Sequence, residues 1–333
     1  MDSPADRWVG GVGAPGRARP LARAEPDGHW LRMKSYLVIT NPSSGRGGGL
    51  RRTEALRTHL SEEGRVEVVE TTHRGHATEL AANHADQVDR VIAVGGDGTL
   101  NEVLCGLMST GREADHLPEL GFLPSGTANA AVRAFGFGSD PAEVSKRLVD
   151  ARASPVDVGM VEYDGRERAF LLWFGAGYDA VVIRALNEKR TGLMGVSGLL
   201  GAAPNVVSAL ARYDAPLIEA EVDGSPLDDC STVVISNVQE IAFRGVLAEG
   251  ADPGDGALDV VGVPRAHLLR LLALGLRMFT SSLSSAEAVE HRLAQRVTLR
   301  SDGQVPFQLD GEPVGTLPAV VRVRRGAIRL LRT

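Results

Sequence analysis

The sequence predicts an α/β protein whose amino-terminal half is built on a parallel sheet and whose carboxy-terminal half is an antiparallel β-sandwich. Three observations carry this. From Ser35 to about Asp150, short apolar runs alternate with stretches of helical periodicity, the rhythm of successive βα units. After about Ala153 the texture changes to β-runs punctuated by Asp-Gly pairs at 164, 223, 255, 302 and 310, the dipeptide that favours two-residue hairpins. A chain of 333 residues with 43% apolar composition also suits two cores better than one.

Residues 1–32 are rich in Gly, Ala, Pro and Arg, show no periodicity and are expected to form a flexible tail, while Met33 makes a natural start for the first strand. Within the tail, Gly11-Val-Gly13-Ala-Pro-Gly16 matches GxGxxG by letter only, because no strand precedes it and Pro15 sits where a helix would open. The first domain is expected over 33–152, with strands at 36–40, 66–71, 91–94 and 120–123. Its helices are expected at 50–62, 77–86, 100–108, 128–135 and 141–151. The second domain spans 153–318, its sandwich interrupted by helical stretches at 178–188, 198–212 and 267–282. Residues 319–331 read as two short strands that could rejoin the first domain. The most apolar helix, 267–279, carries Arg270 and Arg277 seven apart on one face, and is expected to pack on the core rather than face lipid.

Composition narrows function. A net charge of −6 argues against a general nucleic-acid binder. The two cysteines, Cys105 and Cys230, give neither a disulfide framework nor a metal pattern and read as buried thiols of a reducing compartment. No signal-peptide core is present, and no run reaches the ~20 apolar residues of a membrane span.

Three turns carry the chemistry. Val91 to Met108 runs from an apolar strand through Gly95-Gly96-Asp97-Gly98-Thr99 into a helix. Glycines let backbone approach a bulky anion, a helix start offers N–H groups and a positive dipole end, and Asp97 can position phosphates or their metal. Thr99 with Glu102 also forms a capping box. Thr40-Asn41-Pro42-Ser43-Ser44-Gly45 closes the first strand, without the Lys-Ser/Thr of a P-loop or the spacing of a dinucleotide fold. Leu123-Pro-Ser-Gly126-Thr127-Ala-Asn129 closes another, with Thr127 as its N-cap. Three hydroxyl-bearing glycine turns at strand ends on one rim predict a shared phosphate pocket. Phosphoryl transfer further needs metal and a proton acceptor. The carboxylates available are Asp97, then Asp252 and Asp255 in a Gly/Asp-rich loop, and Asp310 with Glu312, although each Asp-Gly pair is by default a hairpin turn.

Together these segments resemble the bacterial diacylglycerol kinase and lipid kinase family, whose catalytic domain is shared with sphingosine and ceramide kinases. The resemblance covers about Met33 to Leu331 and rests on the ordered set NPSSG, ETTHRGHA, GGDGTLNEV, FLPSGTAN, AEGADPGDGALDV and QLDGEPV. It implies a nucleotide-binding domain like that of NAD kinases and phosphofructokinases, which share the GGDGT loop; the Thr-Gly-Ser-Thr-Ala-Tyr segment expected of an NAD kinase is absent. It implies that ATP is held by Asn41, Pro42, Ser43, Ser44 and Gly45, by Thr71, by Gly95, Gly96, Asp97, Gly98, Thr99, Leu100 and Asn101, and by Gly126, Thr127 and Asn129. A structural magnesium would use Asp255, with backbone oxygens at Asp252 and Ala257. Glu312 would take the proton of a lipid hydroxyl, with Asp310 beside it. Two departures stand out: Ala130 and Ala131 follow Asn129 where the family usually has Asp and Phe, and Ile241-Ala-Phe-Arg244-Gly245 replaces a glycine cluster. The expectation is an ATP- and Mg2+-dependent kinase of diacylglycerol, cytoplasmic and peripheral to the inner face of the membrane, where Arg322, Arg324, Arg325, Arg329 and Arg332 could meet headgroups. A homodimer is left open. The alternatives are a non-catalytic nucleotide- or lipid-binding protein of this fold, or a kinase of another lipid or of NAD.

Overall fold

The computed structural model describes residues 22–24, 30–126, 130–138, 140–188, 196–241, 245–287 and 289–331. Thr127 and Asn129, Arg244, Arg332 and most of the expected tail lie outside the described residues. A ribbon of β1 (Ala22–Ala24) and β2 (Trp30–Arg32) precedes the first parallel strands: β3 (Lys34–Thr40), β4 (Gly64–Glu70), β5 (Arg90–Gly95) and β6 (Glu119–Pro124). These lie in the order β6-β5-β3-β4. Successive strand residues face opposite sides of a sheet, so Tyr36 and Val38 pack with Leu56 and Leu60 of α1 (Gly48–Glu63) and Val144 and Leu148 of α5 (Pro141–Asp150). Leu37 and Ile39 meet Ala77 and Ala81 of α2 (His76–His84) and Leu100 and Leu104 of α3 (Asp97–Ser109). Both faces are covered, which is why these strands read as unbroken apolar runs. A short helix, α4 (Ala130–Phe135), follows the third glycine turn.

The carboxy-terminal half supplies two layers. One is an antiparallel sheet in the order β14-β13-β12-β9-β16-β17, made of β9 (Trp173–Gly177), β12 (Cys230–Ser236), β13 (Leu258–Pro264), β14 (Glu290–Ala294), β16 (Pro306–Leu309) and β17 (Glu312–Thr316). The other holds β7 (Ala153–Tyr163), β8 (Arg166–Phe170), β10 (Glu219–Val222), β11 (Ser225–Pro226), β15 (Arg296–Arg300) and β18 (Ala319–Leu331). Phe170, Phe174, Val233, Val297, Phe307 and Val321 fill the space between them. Three helices, α6 (Tyr178–Glu188), α7 (Val196–Arg212) and α8 (Leu268–Thr280), complete this half.

The expected sandwich is present, and one of its layers is continuous with the parallel sheet. β18 makes the join: it runs antiparallel to β15 and β7, while its Leu330 pairs in parallel with Leu120 of β6. The two short strands expected at 319–331 are thus one strand. Its register shifts between Arg324 and Ile328, where Gly326 takes φ +51°, and this break in alternation is what divided the run in the sequence.

Two further expectations are corrected. Asp164, Asp223 and Asp310 adopt positive φ with the following glycine and close hairpins, but the pairs at 255 and 302 do not: Asp255 lies in the long loop that joins β12 to β13, and Asp302 in the connection from β15 to β16, which belong to different sheets. The capping box also fails. Helix α3 starts three residues earlier, at Asp97 with Gly96 as its cap. Glu102 instead accepts the Gly75 N–H at the start of α2, 3.0 Å away, and ties the two helices together.

Candidate active site

Each glycine turn sits at the carboxyl end of its strand, and backbone geometry knits the turns together. The Asn41 N–H donates to the Val94 carbonyl at 3.0 Å, and those of Ser125 and Gly126 to the Gly95 carbonyl at 2.7 and 3.1 Å. Ser44 and Ser125 share a short hydroxyl contact. Gly45 has φ +58°, and a Cβ there would lie 2.1 Å from the Ser125 carbonyl oxygen, so the first turn passes the third only as glycine. Gly95 is equally confined, since a Cβ would meet Thr99 Oγ1 at 2.3 Å. The turns therefore form one surface at the amino terminus of α3, where the helix dipole favours an anion.

Asp97 anchors this surface. Its Oδ2 accepts from Ala130 N at 2.7 Å and its Oδ1 from Ala131 N at 3.1 Å, so the carboxylate holds the start of α4 onto the GGDGT turn. The two alanines that depart from the family pattern are thus positioned through their backbones.

From the opposite half, the Asp310-Gly311 hairpin turn brings Glu312 onto the same surface. Asp310, 8% exposed, accepts N–H bonds from Leu171, Leu172 and Trp173 and one from Asn101 Nδ2, all at 2.8–3.0 Å. Burial pushes its carboxyl up to about 6 against the pull of these donors. It clasps the β16–β17 turn to the β8–β9 corner and to α3. Glu312, held beyond this clasp, pairs with Arg74 at 2.7 Å and with Arg168 at 3.1 Å. A Cβ on Gly98 would lie 3.2 Å from Glu312 Oε1, so the carboxylate rests against the glycine turn itself. Arg168 also donates to Asn101 Oδ1 at 3.1 Å, which fixes the guanidinium behind Glu312.

A single cavity of about 1090 Å3 joins these parts. Of the expected residues, Asn41, Ser43, Ser44 and Thr71 line it from the first two strand ends, and Gly96, Asp97, Gly98, Thr99 and Gly126 from the next two. Asp310 and Glu312 close the opposite wall. Pro42, Gly45 and Gly95 lie off the lining. Leu100 and Asn101 are turned by the phase of α3 into the core, where Asn101 serves Asp310 and Arg168. Past Glu312 the walls become apolar: Val182, Ile183 and Leu186 of α6, Val206 and Leu210 of α7, and Leu271, Leu274 and Met278 of α8. Asp179 stands at the seam, its carboxyl raised by burial and bonded to Gln308 Nε2 at 2.7 Å. Sequence reasoning did not single out Asp179, Arg74 or Arg168. Arg74 stood within the ETTHRGHA segment, whereas nothing local marks the others.

The Asp252–Ala257 loop lies off the lining of this cavity. Asp252 and Asp255 each accept an N–H of their own turn, from Gly254 at 3.0 Å and Ala257 at 2.9 Å. The loop is braced by Asp157, which accepts from Gly256 and Gly326, both at 2.6 Å, and by Arg325 Nε on the Gly256 carbonyl at 3.0 Å. Among the described residues no group of three or more His, Cys, Asp or Glu gathers as a metal site. Asp157 and Arg325 thus brace the loop from within, and Asp255, the one carboxylate expected to hold magnesium, is exposed at its surface. The carboxy-terminal arginines are similarly engaged: Arg322 with Glu162 and Glu167, Arg324 with Glu113, and Arg329 with Asp115 and Glu119.

Comparison with known proteins agrees with this layout. The profile of the diacylglycerol kinase catalytic domain matches residues 35–161, and that of the YegS C-terminal NAD kinase β-sandwich-like domain matches residues 173–332. A diacylglycerol kinase of Bacillus subtilis is 27% identical over 304 residues, covering 86% of this chain and 92% of that protein. One from Mycobacterium tuberculosis is 26% identical over 307 residues, covering 89% and 94%. The crystal structure of a diacylglycerol kinase from Bacillus anthracis superposes with a TM-score of 0.69 at 19% identity, over 90% of this chain and 97% of that one, a likeness of fold.

Proposed function

We propose that this chain, which belongs to the family of diacylglycerol kinases and YegS-like lipid kinases, transfers the γ-phosphoryl group of ATP to the hydroxyl of diacylglycerol, giving phosphatidic acid. One observation carries the reading: a single cavity runs from the glycine turns past Glu312 into apolar walls built by α6, α7 and α8. The triphosphate lies along the turns, held by backbone N–H groups and by the hydroxyls of Ser43, Ser44 and Thr99. Arg74 reaches its terminal oxygens. The glyceride hydroxyl enters from the other side with its acyl chains among Val182, Leu186, Val206 and Leu271.

Glu312 takes the proton as the hydroxyl oxygen bonds to the γ-phosphorus and the bond to the β–γ bridging oxygen breaks, releasing ADP. Arg168 holds the carboxylate in place, and Asp310 holds the turn that carries it. Because the acceptor end of the cavity is apolar, water is a poor competitor there. The test is direct: incubate the purified protein with ATP, magnesium and a panel of lipid alcohols, and identify phosphorylated products by mass spectrometry. Phosphatidic acid as the main product supports the reading; ATP turnover without any phospholipid product defeats it.

A further inference from the structure

The sequence suggested that helix 267–279 packs on the core, and the structure leaves every residue of α8 at least partly open. Leu269 is 74% exposed, Leu276 68% and Phe279 50%. Together with Leu272 they recur at i, i+3, i+7 and i+10, one stripe along the helix. Leu276 and Phe279 also edge the cavity, so the outer face of α8 runs into the mouth of the apolar chamber. An apolar stripe of this size on a helix surface marks an interaction site.

Charge identifies the partner. No Asp or Glu occurs between Asp259 and Glu287, while Arg265, Arg270 and Arg277 do, in a chain of net charge −6. Arg270 and Arg277 flank the stripe on the same side. Arg277 donates to Ser285, and neither arginine has a carboxylate partner among the described residues. The carboxy-terminal arginines, expected to be the docking patch, are by contrast neutralised by acidic neighbours. We propose that α8 is the membrane-docking element: it lies in the interface of an anionic bilayer, leucines and Phe279 in the acyl boundary and arginines at the headgroups, and opens the chamber to lipid from the side. This rests on the lipid-kinase reading, since the chamber behind α8 is where that reading puts the acyl chains.

The test combines two readouts on the full chain. Co-sedimentation with phosphatidylcholine vesicles, with and without phosphatidylglycerol, measures docking; phosphorylation of a short-chain diacylglycerol in free solution measures turnover. Wild-type protein sediments with the anionic vesicles and is released by salt. The double variant Leu269→Asp/Arg270→Glu, whose residues do not line the cavity, binds them at least about ten-fold more weakly, while its melting and its turnover of the soluble lipid match wild type. Arg322→Glu, on β18, retains vesicle binding. Equal binding by the double variant and wild type, or equal wild-type binding to neutral and anionic vesicles, overturns the proposal. Soluble lipid phosphorylated without vesicle binding removes docking and keeps the kinase, whereas vesicle binding with no lipid phosphorylated removes the kinase reading and leaves the surface standing.

Discussion

The two ends of the cavity are built on different principles. At the polar end the wall is backbone: four parallel strands deliver their carboxyl ends side by side, and turns from separate parts of the chain are fastened by N–H to carbonyl bonds and by glycines that admit no side chain. At the apolar end the wall is side chain, contributed by three helices, with Asn187 tying α6 to the Gly311 carbonyl and Asn205 tying α7 to the Ala185 carbonyl of α6. The difference teaches why a phosphate site is narrow in sequence space and a lipid site broad. A triphosphate demands donors at set positions. An acyl chain asks only for apolar volume.

The largest effect separating the ends falls at their junction. Replacing Glu312 with Gln keeps the shape and one acceptor oxygen but removes the proton acceptor, so kcat should fall on the order of 1,000-fold with ATP affinity nearly unchanged. Single-turnover kinetics with ATP binding measured by calorimetry checks both halves. A kcat within a few-fold of wild type would assign the proton to another group.

The same contrast decides what could be read in advance. The strands of the parallel sheet and the three turns were legible because each is a local pattern, an apolar run ending in Gly and a hydroxyl, and the structure finds the strands within about two residues of expectation. Glu312 was legible only through the family motif. Asp179, Arg168 and Asp157 were not, since each acts on groups 99 to 169 positions away: Arg168 on Glu312, Asp179 on Gln308, Asp157 on Gly256 and Gly326. Helix α8 was legible in part: Leu274 and Met278 pack on the core as expected, while Leu269, Leu276 and Phe279 stay exposed, because apolar periodicity alone does not say how much of a helix is covered. Thr99 and Glu102 satisfied a local capping rule, yet tertiary contacts took both side chains elsewhere, Thr99 to Asn41 and Glu102 to α2.

A smaller effect tests the apolar end. Val206→Trp fills part of the chamber that α7 lines. It should lower kcat/KM for long-chain lipids about ten-fold, a loss of the size that pocket shape commonly commands, while leaving ATP affinity alone. A drop in ATP affinity instead would mean that the two ends are not independent.

Smaller again is a pH effect at the clasp. Asp310 has an ordinary value of 3.8 and is raised to about 6 in the fold, so the folded state holds its proton more tightly than the unfolded chain. The sign follows: its favourable contribution is fully present below about 4 and is lost as pH rises through about 6. Thermal melts of wild type should show this component between those limits. Asp310→Asn cannot titrate and should melt lower at every pH with that slope removed. Parallel curves for the two proteins would place the titration on another group.

The smallest effect is expected where the family resemblance put a metal. Asp255 is exposed and its carboxylate closes only an Asx turn onto Ala257, whereas the buried Asp157 and the Arg325 guanidinium brace the loop. Asp255→Ala therefore removes one solvent-accessible hydrogen bond, worth about 0.5–1 kcal/mol, and should shift the melting temperature by only a few degrees. The shift should be the same with magnesium and with chelator, because a ligand stabilises a fold only if it binds the native state. A magnesium-dependent rise in melting temperature, abolished by this substitution, would show instead that the loop rearranges around a cation and that the Asp157–Arg325 brace is secondary to it.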